Sequence, residues 1–253
     1  MPTQTKRLSW LMPLLFIAIT LLAMPGWLLP NNSPISELLF PGFIALYICL
    51  IFPRRKEHFK EFGVHKLGTL KAYAPVLLLV VASILTYALP ALFGLASAGL
   101  IGQLGHVIAF IPLAIYEEIG WRGYLQGELT KRIGPRTAVF AVGVIWAIWH
   151  FGQLFTGQLF SSGNFAVNAI LFIISALLIS VVLGFSRYVS GSVWPAIVGH
   201  AAINYVQEIG NAMFANASSI FTYVSGAVSF VLLAALAWYY WKKLPLAEPA
   251  TQQ

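Results

Sequence analysis

The sequence predicts an all-α polytopic membrane protein, a bundle of about eight transmembrane helices, on three observations. Hydrophobic residues make up 59% and charged residues 9%, with a mean hydropathy of +0.81, far from the roughly half apolar and quarter charged balance of soluble domains. The apolar residues fall in runs of roughly 20, the length a helix needs to cross a bilayer core at about 1.5 Å per residue. Lys and Arg gather at every second boundary between those runs, the pattern of the positive-inside rule. The 253 residues leave no room for a soluble module beside such a bundle, so residues 1–253 are expected to form one transmembrane domain. A net charge of +7 is then a statement about topology before it is one about nucleic acid, and the expected partner is the lipid bilayer. Cys49 is the single cysteine. It excludes an intramolecular disulfide and a multi-Cys zinc site, and its apolar neighbours argue against a thiol nucleophile.

Lys6 and Arg7 precede an apolar run at 8–29, long for a signal-peptide core and with no A-x-A site behind it, which favours a first span over a leader. A polar turn at 30–36 leads to a second span at 38–52, stopped by Pro53-Arg54-Arg55-Lys56. Residues 54–71 hold six Lys or Arg with Glu57, His58, Glu61 and His65; an amphipathic helix on the membrane surface and a solvated loop both fit. The third span is expected at 72–93, kinked or ended by Pro90, and the fourth at 103–126. The fifth, at 137–154, follows Lys131, Arg132 and Arg136. The sixth is expected at 165–185, the seventh at 194–214 after Arg187, and the eighth at 220–241, closed by Lys242 and Lys243. With the N-terminus inside, fourteen of the fifteen basic residues fall on the inner side, and the fifteenth is Arg122, within the membrane. Both termini are therefore expected to be cytoplasmic, at the plasma membrane.

Ile115-Tyr116-Glu117-Glu118-Ile119-Gly120-Trp121-Arg122-Gly123-Tyr124 puts three ionisable groups into the fourth span. Each costs about 2.5–3.5 kcal/mol at bilayer depth even on the mildest insertion scales, so function is the default hypothesis. Glu118 and Arg122, at i and i+4, share a face and can neutralise each other, while Glu117 lies about 100° away and has no local partner. Gly120, Gly123 and Gly127 leave small steps that admit a neighbouring backbone. The fifth span ends in Trp146-Ala147-Ile148-Trp149-His150, and the seventh carries His200-Ala201-Ala202-Ile203-Asn204, with Glu208 one step on. At about 1.5 Å per residue, Glu117, His150 and Asn204 lie roughly 15 to 20 Å deep and His200 shallower, so all four can meet. A Glu and a His at one level suit water activation, and a second His with an Asn amide suits an oxyanion. Glu117, His150 and His200 are equally a zinc-like ligand set with an open position, and the absence of H-E-x-x-H leaves that choice open. His106 lies outside this set and reads as structural or interfacial.

The ordered set, Glu117-Glu118-x-x-x-Arg122, then Trp146-x-x-x-His150, then His200-x-x-x-Asn204, resembles the CPBP (Abi) family of intramembrane proteases. That family includes type II CAAX prenyl endopeptidases and bacteriocin-processing or immunity proteins. The motifs run from 117 to 204. One departure is Trp146 where the family usually has Phe, a change expected to alter packing more than chemistry. The resemblance implies hydrolysis of a peptide bond near the C-terminus of a membrane-associated substrate, with a prenylated CAAX terminus as one such class. It makes Glu117 and His150 the water-activating pair, His200 and Asn204 the oxyanion site, and Glu118 with Arg122 the support of the fourth helix. Members have been described both as metalloproteases and as metal-independent glutamate proteases; the expectation here is no obligatory metal, with Zn on Glu117, His150 and His200 as the alternative. A non-proteolytic immunity or scaffold protein keeps the same fold, and retention of every motif residue argues against it. A transporter would reuse the intramembrane Glu and His groups but usually shows internal repeats, and none is visible.

Overall fold

In lipid an apolar run must satisfy its own backbone hydrogen bonds, and a helix does so within one segment. The computed structural model describes residues 10–24, 38–51, 58–94, 107–155, 165–214 and 218–247, and each of the eight expected spans contains helix there. In chain order these are α1 (Leu11–Leu22), α2 (Pro41–Ile51), a single turn α3 (His58–Glu61), α4 (Leu70–Leu92), α5 (Val107–Glu118), a π-helix (Ile119–Leu125) and α6 (Gln126–Ile133). They are followed by α7 (Pro135–Trp149), α8 (Phe151–Phe155), α9 (Phe165–Ser190), α10 (Trp194–Met213) and α11 (Ser219–Trp241). Among the described residues four stretches are long and apolar enough to cross a membrane: α4, α7 with α8, α9 and α11; α1 and α2 are shorter apolar helices. Their outward faces stay apolar, as at Leu77, Ile170 and Val231, each more than half exposed. Exposed apolar area on that scale is lipid-facing surface rather than soluble surface.

Helix α9 is the axis of the bundle, packing on α7, α11, α4 and α10. The start of α7 is tied to the segment after α11, since the Arg136 guanidinium donates twice to the Leu244 carbonyl, at 3.1 and 2.7 Å. Pro135 starts α7 and Pro195 starts α10, where a missing N–H costs nothing. Ser218 caps α11 by accepting from the Phe221 N–H at 3.2 Å.

Pro90 lies inside α4, which continues to Leu92. Two expectations change. The fourth span is not one uniform helix: it passes from α5 through seven π-helical residues into α6 and ends at Ile133 rather than 126. Of the two readings of the basic segment before α4, the amphipathic surface helix does not hold over the described part, where helix is limited to the turn α3 and residues 65–69 are an exposed loop. After the one turn α3 it is a strap docked on the start of α10. There the Trp194 indole donates to the Val64 carbonyl at 2.9 Å, Val193 N–H to Gly63, and Ser192 Oγ to the Lys66 carbonyl. Gly63 has φ +73°, and a Cβ there would sit 2.4 Å from the Gly191 carbonyl oxygen, so glycine is required. The strap stays put because its carbonyls are satisfied by the bundle rather than by water.

Candidate active site

Two glycine contacts bring the charged helix into the interior. A Cβ on Gly120 would lie 2.4 Å from Pro41 Cβ, and one on Gly42 would lie 2.5 Å from the Tyr116 carbonyl oxygen. The start of α2 therefore lies directly on the α5 to π-helix junction. Of the three expected small steps, Gly120 meets backbone, Gly123 meets the Phe62 carbonyl at an ordinary 3.4 Å, and Gly127 has nothing within 4 Å. The expectation thus fails at Gly127, which lies on α6 between the buried Gln126 and Glu128 but turns to open space. A π-turn admits an extra residue per turn and is frequent at functional sites. Here it carries Arg122, and the widened turn leaves the Arg122 carbonyl open to the Arg187 guanidinium from α9 at 3.1 Å.

Glu118 and Arg122 pair as expected, Nη1 to Oε1 at 2.6 Å, with neither side chain exposed at all. The same Oε1 also takes His200 Nδ1 at 2.8 Å. A carboxylate accepts, so Nδ1 donates and the ring is held with Nε2 free for other work. Glu118 is thereby more than a helix support, since it orients His200 across from α5 to α10. Glu117 is 7% exposed and its Oε2 receives the Trp146 indole N–H at 2.9 Å. His150, 8% exposed, closes the end of α7: its Nδ1 lies 2.8 Å from the Trp146 carbonyl. Because a carbonyl only accepts, the proton is on Nδ1, and in the neutral ring Nε2 keeps a lone pair suited to a proton.

Trp146 is the centre of the arrangement. Its ring has the Arg122 guanidinium 4.7 Å from the centroid on one side, and meets the His150 and His200 rings edge to face at 5.3 and 5.4 Å. Trp149 and Phe172 enclose His150 at 4.9 and 5.2 Å. Asn204 follows His200 by one helical turn on α10 and is half-buried; among the described residues no hydrogen bond ties it to the other members. His106 lies outside the described residues, and Glu208 is exposed on the far part of α10.

Residues 100–206 match the family model described as Rce1-like, type II CAAX prenyl endopeptidase Rce1-like. This segment is thus similar to the CPBP/CAAX protease family. A relative named CAAX prenyl protease 2, from Methanococcus maripaludis, is 24% identical over 222 residues, covering 77% of this chain and 81% of the relative. Both matches support an intramembrane endopeptidase resembling CAAX prenyl proteases, and with the apolar helices an integral membrane protein.

The alternative zinc set can be compared with this geometry. Among the described residues no three His, Cys, Asp or Glu side chains gather at metal-ligand spacing. Nδ1 of each histidine and one oxygen of Glu117 are engaged, which leaves Nε2 of His150, Nε2 of His200 and the second Glu117 oxygen as the atoms that would hold a metal. Two features escaped sequence reasoning: the Glu118 to His200 bond, which joins residues 82 apart, and the Trp146 to Glu117 bond. The second had a visible signal, because a buried indole N–H usually has a partner.

Proposed function

We propose that this chain hydrolyses a peptide bond near the C-terminus of a membrane-associated substrate by a water activated on Glu117 and His150, with no obligatory metal. Glu117 takes one proton from the water as its oxygen attacks the carbonyl carbon, and His150 Nε2 holds the second O–H in line. The carbonyl π-bond becomes an oxyanion, which accepts from Nε2–H of His200 in its imidazolium form and from the Asn204 amide. Collapse of the tetrahedral intermediate breaks the C–N bond, and Glu117 returns its proton to the leaving amine. The observation carrying this reading is the division of exposure: Glu118 and Arg122 are at 0%, whereas Glu117 and His150 keep 7% and 8%. Buried pairs support; the slightly open groups can meet water. A CAAX-type, prenylated C-terminus is the proposed substrate class, by analogy with the relative's name. The whole of 1–253 is proposed to be one transmembrane domain in the plasma membrane with both termini cytoplasmic.

Purified protein incubated with a panel of prenylated and unprenylated membrane peptides is expected to cleave the prenylated ones. Glu117→Gln keeps the shape and removes the base, so turnover falls by about 10²- to 10⁴-fold with the protein still folded in detergent. Wild-type turnover in Glu117→Gln sinks the mechanism, and a wild-type protein that cleaves no peptide of the panel leaves the scaffold reading. One zinc per active chain, lost in His150→Ala by elemental analysis, reverses the choice against a metal.

A further inference from the structure

We propose that Trp146 is a positioning residue for Glu117, its indole N–H fixing one carboxylate oxygen so that the other is presented to the water. This rests on the protease reading above. The bond is 2.9 Å long between groups that are 5% and 7% exposed, so little solvent competes for either. A hydrogen bond to a charged group in such surroundings is stronger than its surface equivalent. The ring cannot swing away, because the Arg122 guanidinium covers one face at 4.7 Å and both histidine rings press on its edges. Its main chain does a second job, since the carbonyl that receives His150 Nδ1 belongs to the same residue. One residue therefore sets the distance between Glu117 and His150: the side chain holds the first, the carbonyl the second. A phenylalanine here would keep the ring contacts and the carbonyl but has no donor for Glu117. Sequence reading had assigned this position a packing difference; the indole N–H makes it a chemical one.

The test uses the full chain in detergent, cleaving the best peptide of the panel above. Trp146→Phe and a protein carrying 3-benzothienylalanine at 146, which replaces N–H by sulfur in the same bicyclic shape, are compared with wild type. In both, kcat falls by about 10- to 100-fold, the range corresponding to one hydrogen bond to a charged group, while KM moves by less than about twofold. The benzothienyl protein decides the matter if Trp146→Phe folds poorly. With ¹⁵N-indole labelling, the resonance lost in Trp146→Phe moves upfield in Glu117→Gln, because a neutral amide oxygen is a weaker acceptor. Wild-type kcat in the benzothienyl protein, or an unmoved resonance, overturns the positioning role while an inactive Glu117→Gln leaves the protease reading standing. An active Glu117→Gln removes both.

Discussion

Two carboxylate oxygens and two imidazole nitrogens near the π-turn have partners that decide what each residue can do. Glu118 Oε1 is shared by Arg122 and His200, so removing either cation disturbs the other. Arg122→Ala leaves a fully buried carboxylate with only a histidine beside it, at a cost of about 3–5 kcal/mol. Expression and detergent melting temperature should fall together with turnover, unlike Glu117→Gln, where turnover falls alone. A melting temperature unchanged in Arg122→Ala would mean that the pair contributes little to the fold. Glu118 also explains why two adjacent carboxylates are useful: one anchors, and its neighbour, turned about 100° along the helix, keeps 7% exposure.

At the scale of elements, the junction between α2 and the π-helix is the tightest joint near the site. Gly120→Ala would force a methyl into Pro41, and since backbone atoms cannot yield as a side chain can, a loss of about 1–3 kcal/mol is expected. Gly127→Ala on the same rod should have the opposite sign, because nothing lies within 4 Å of the new Cβ and Ala favours a helix interior by about 0.5–1 kcal/mol. Thermal melts of the two variants side by side check both; equal shifts would contradict the packing. The strap over 58–69 is a second such element. It ties α3 to α6 through the Glu61 to Lys131 ion pair and to α9 through the Arg187 bond to the Glu61 carbonyl.

For the whole molecule, the charge asymmetry sets a direction that can be measured. Cys49 is buried, so single cysteines at Lys60 and Lys66, both exposed on the strap, report alone. In intact cells they should react with a membrane-impermeant thiol reagent only after the membrane is opened. Labelling from outside would reverse the proposed orientation. The buried core, with Trp121, Trp149, Tyr124 and Phe16 under 2% exposed, lies where the rods meet, while α4 and α11 turn apolar residues to lipid.

Sequence by itself determined the helical membrane class, the eight rods and the i,i+4 pairing of Glu118 with Arg122, all of which follow from local properties: apolar run length, charge position and helical period. The motif residues came from resemblance to the CPBP family. Only the tertiary structure decided that Glu118 holds His200, that an indole holds Glu117, that the basic segment is a docked strap, and that the helix widens into a π-turn beneath Arg122. Those depend on contacts between residues up to 130 apart, as between Trp194 and Val64. Such contacts are fixed by how close two backbones can come, and a one-dimensional pattern carries no measure of that distance.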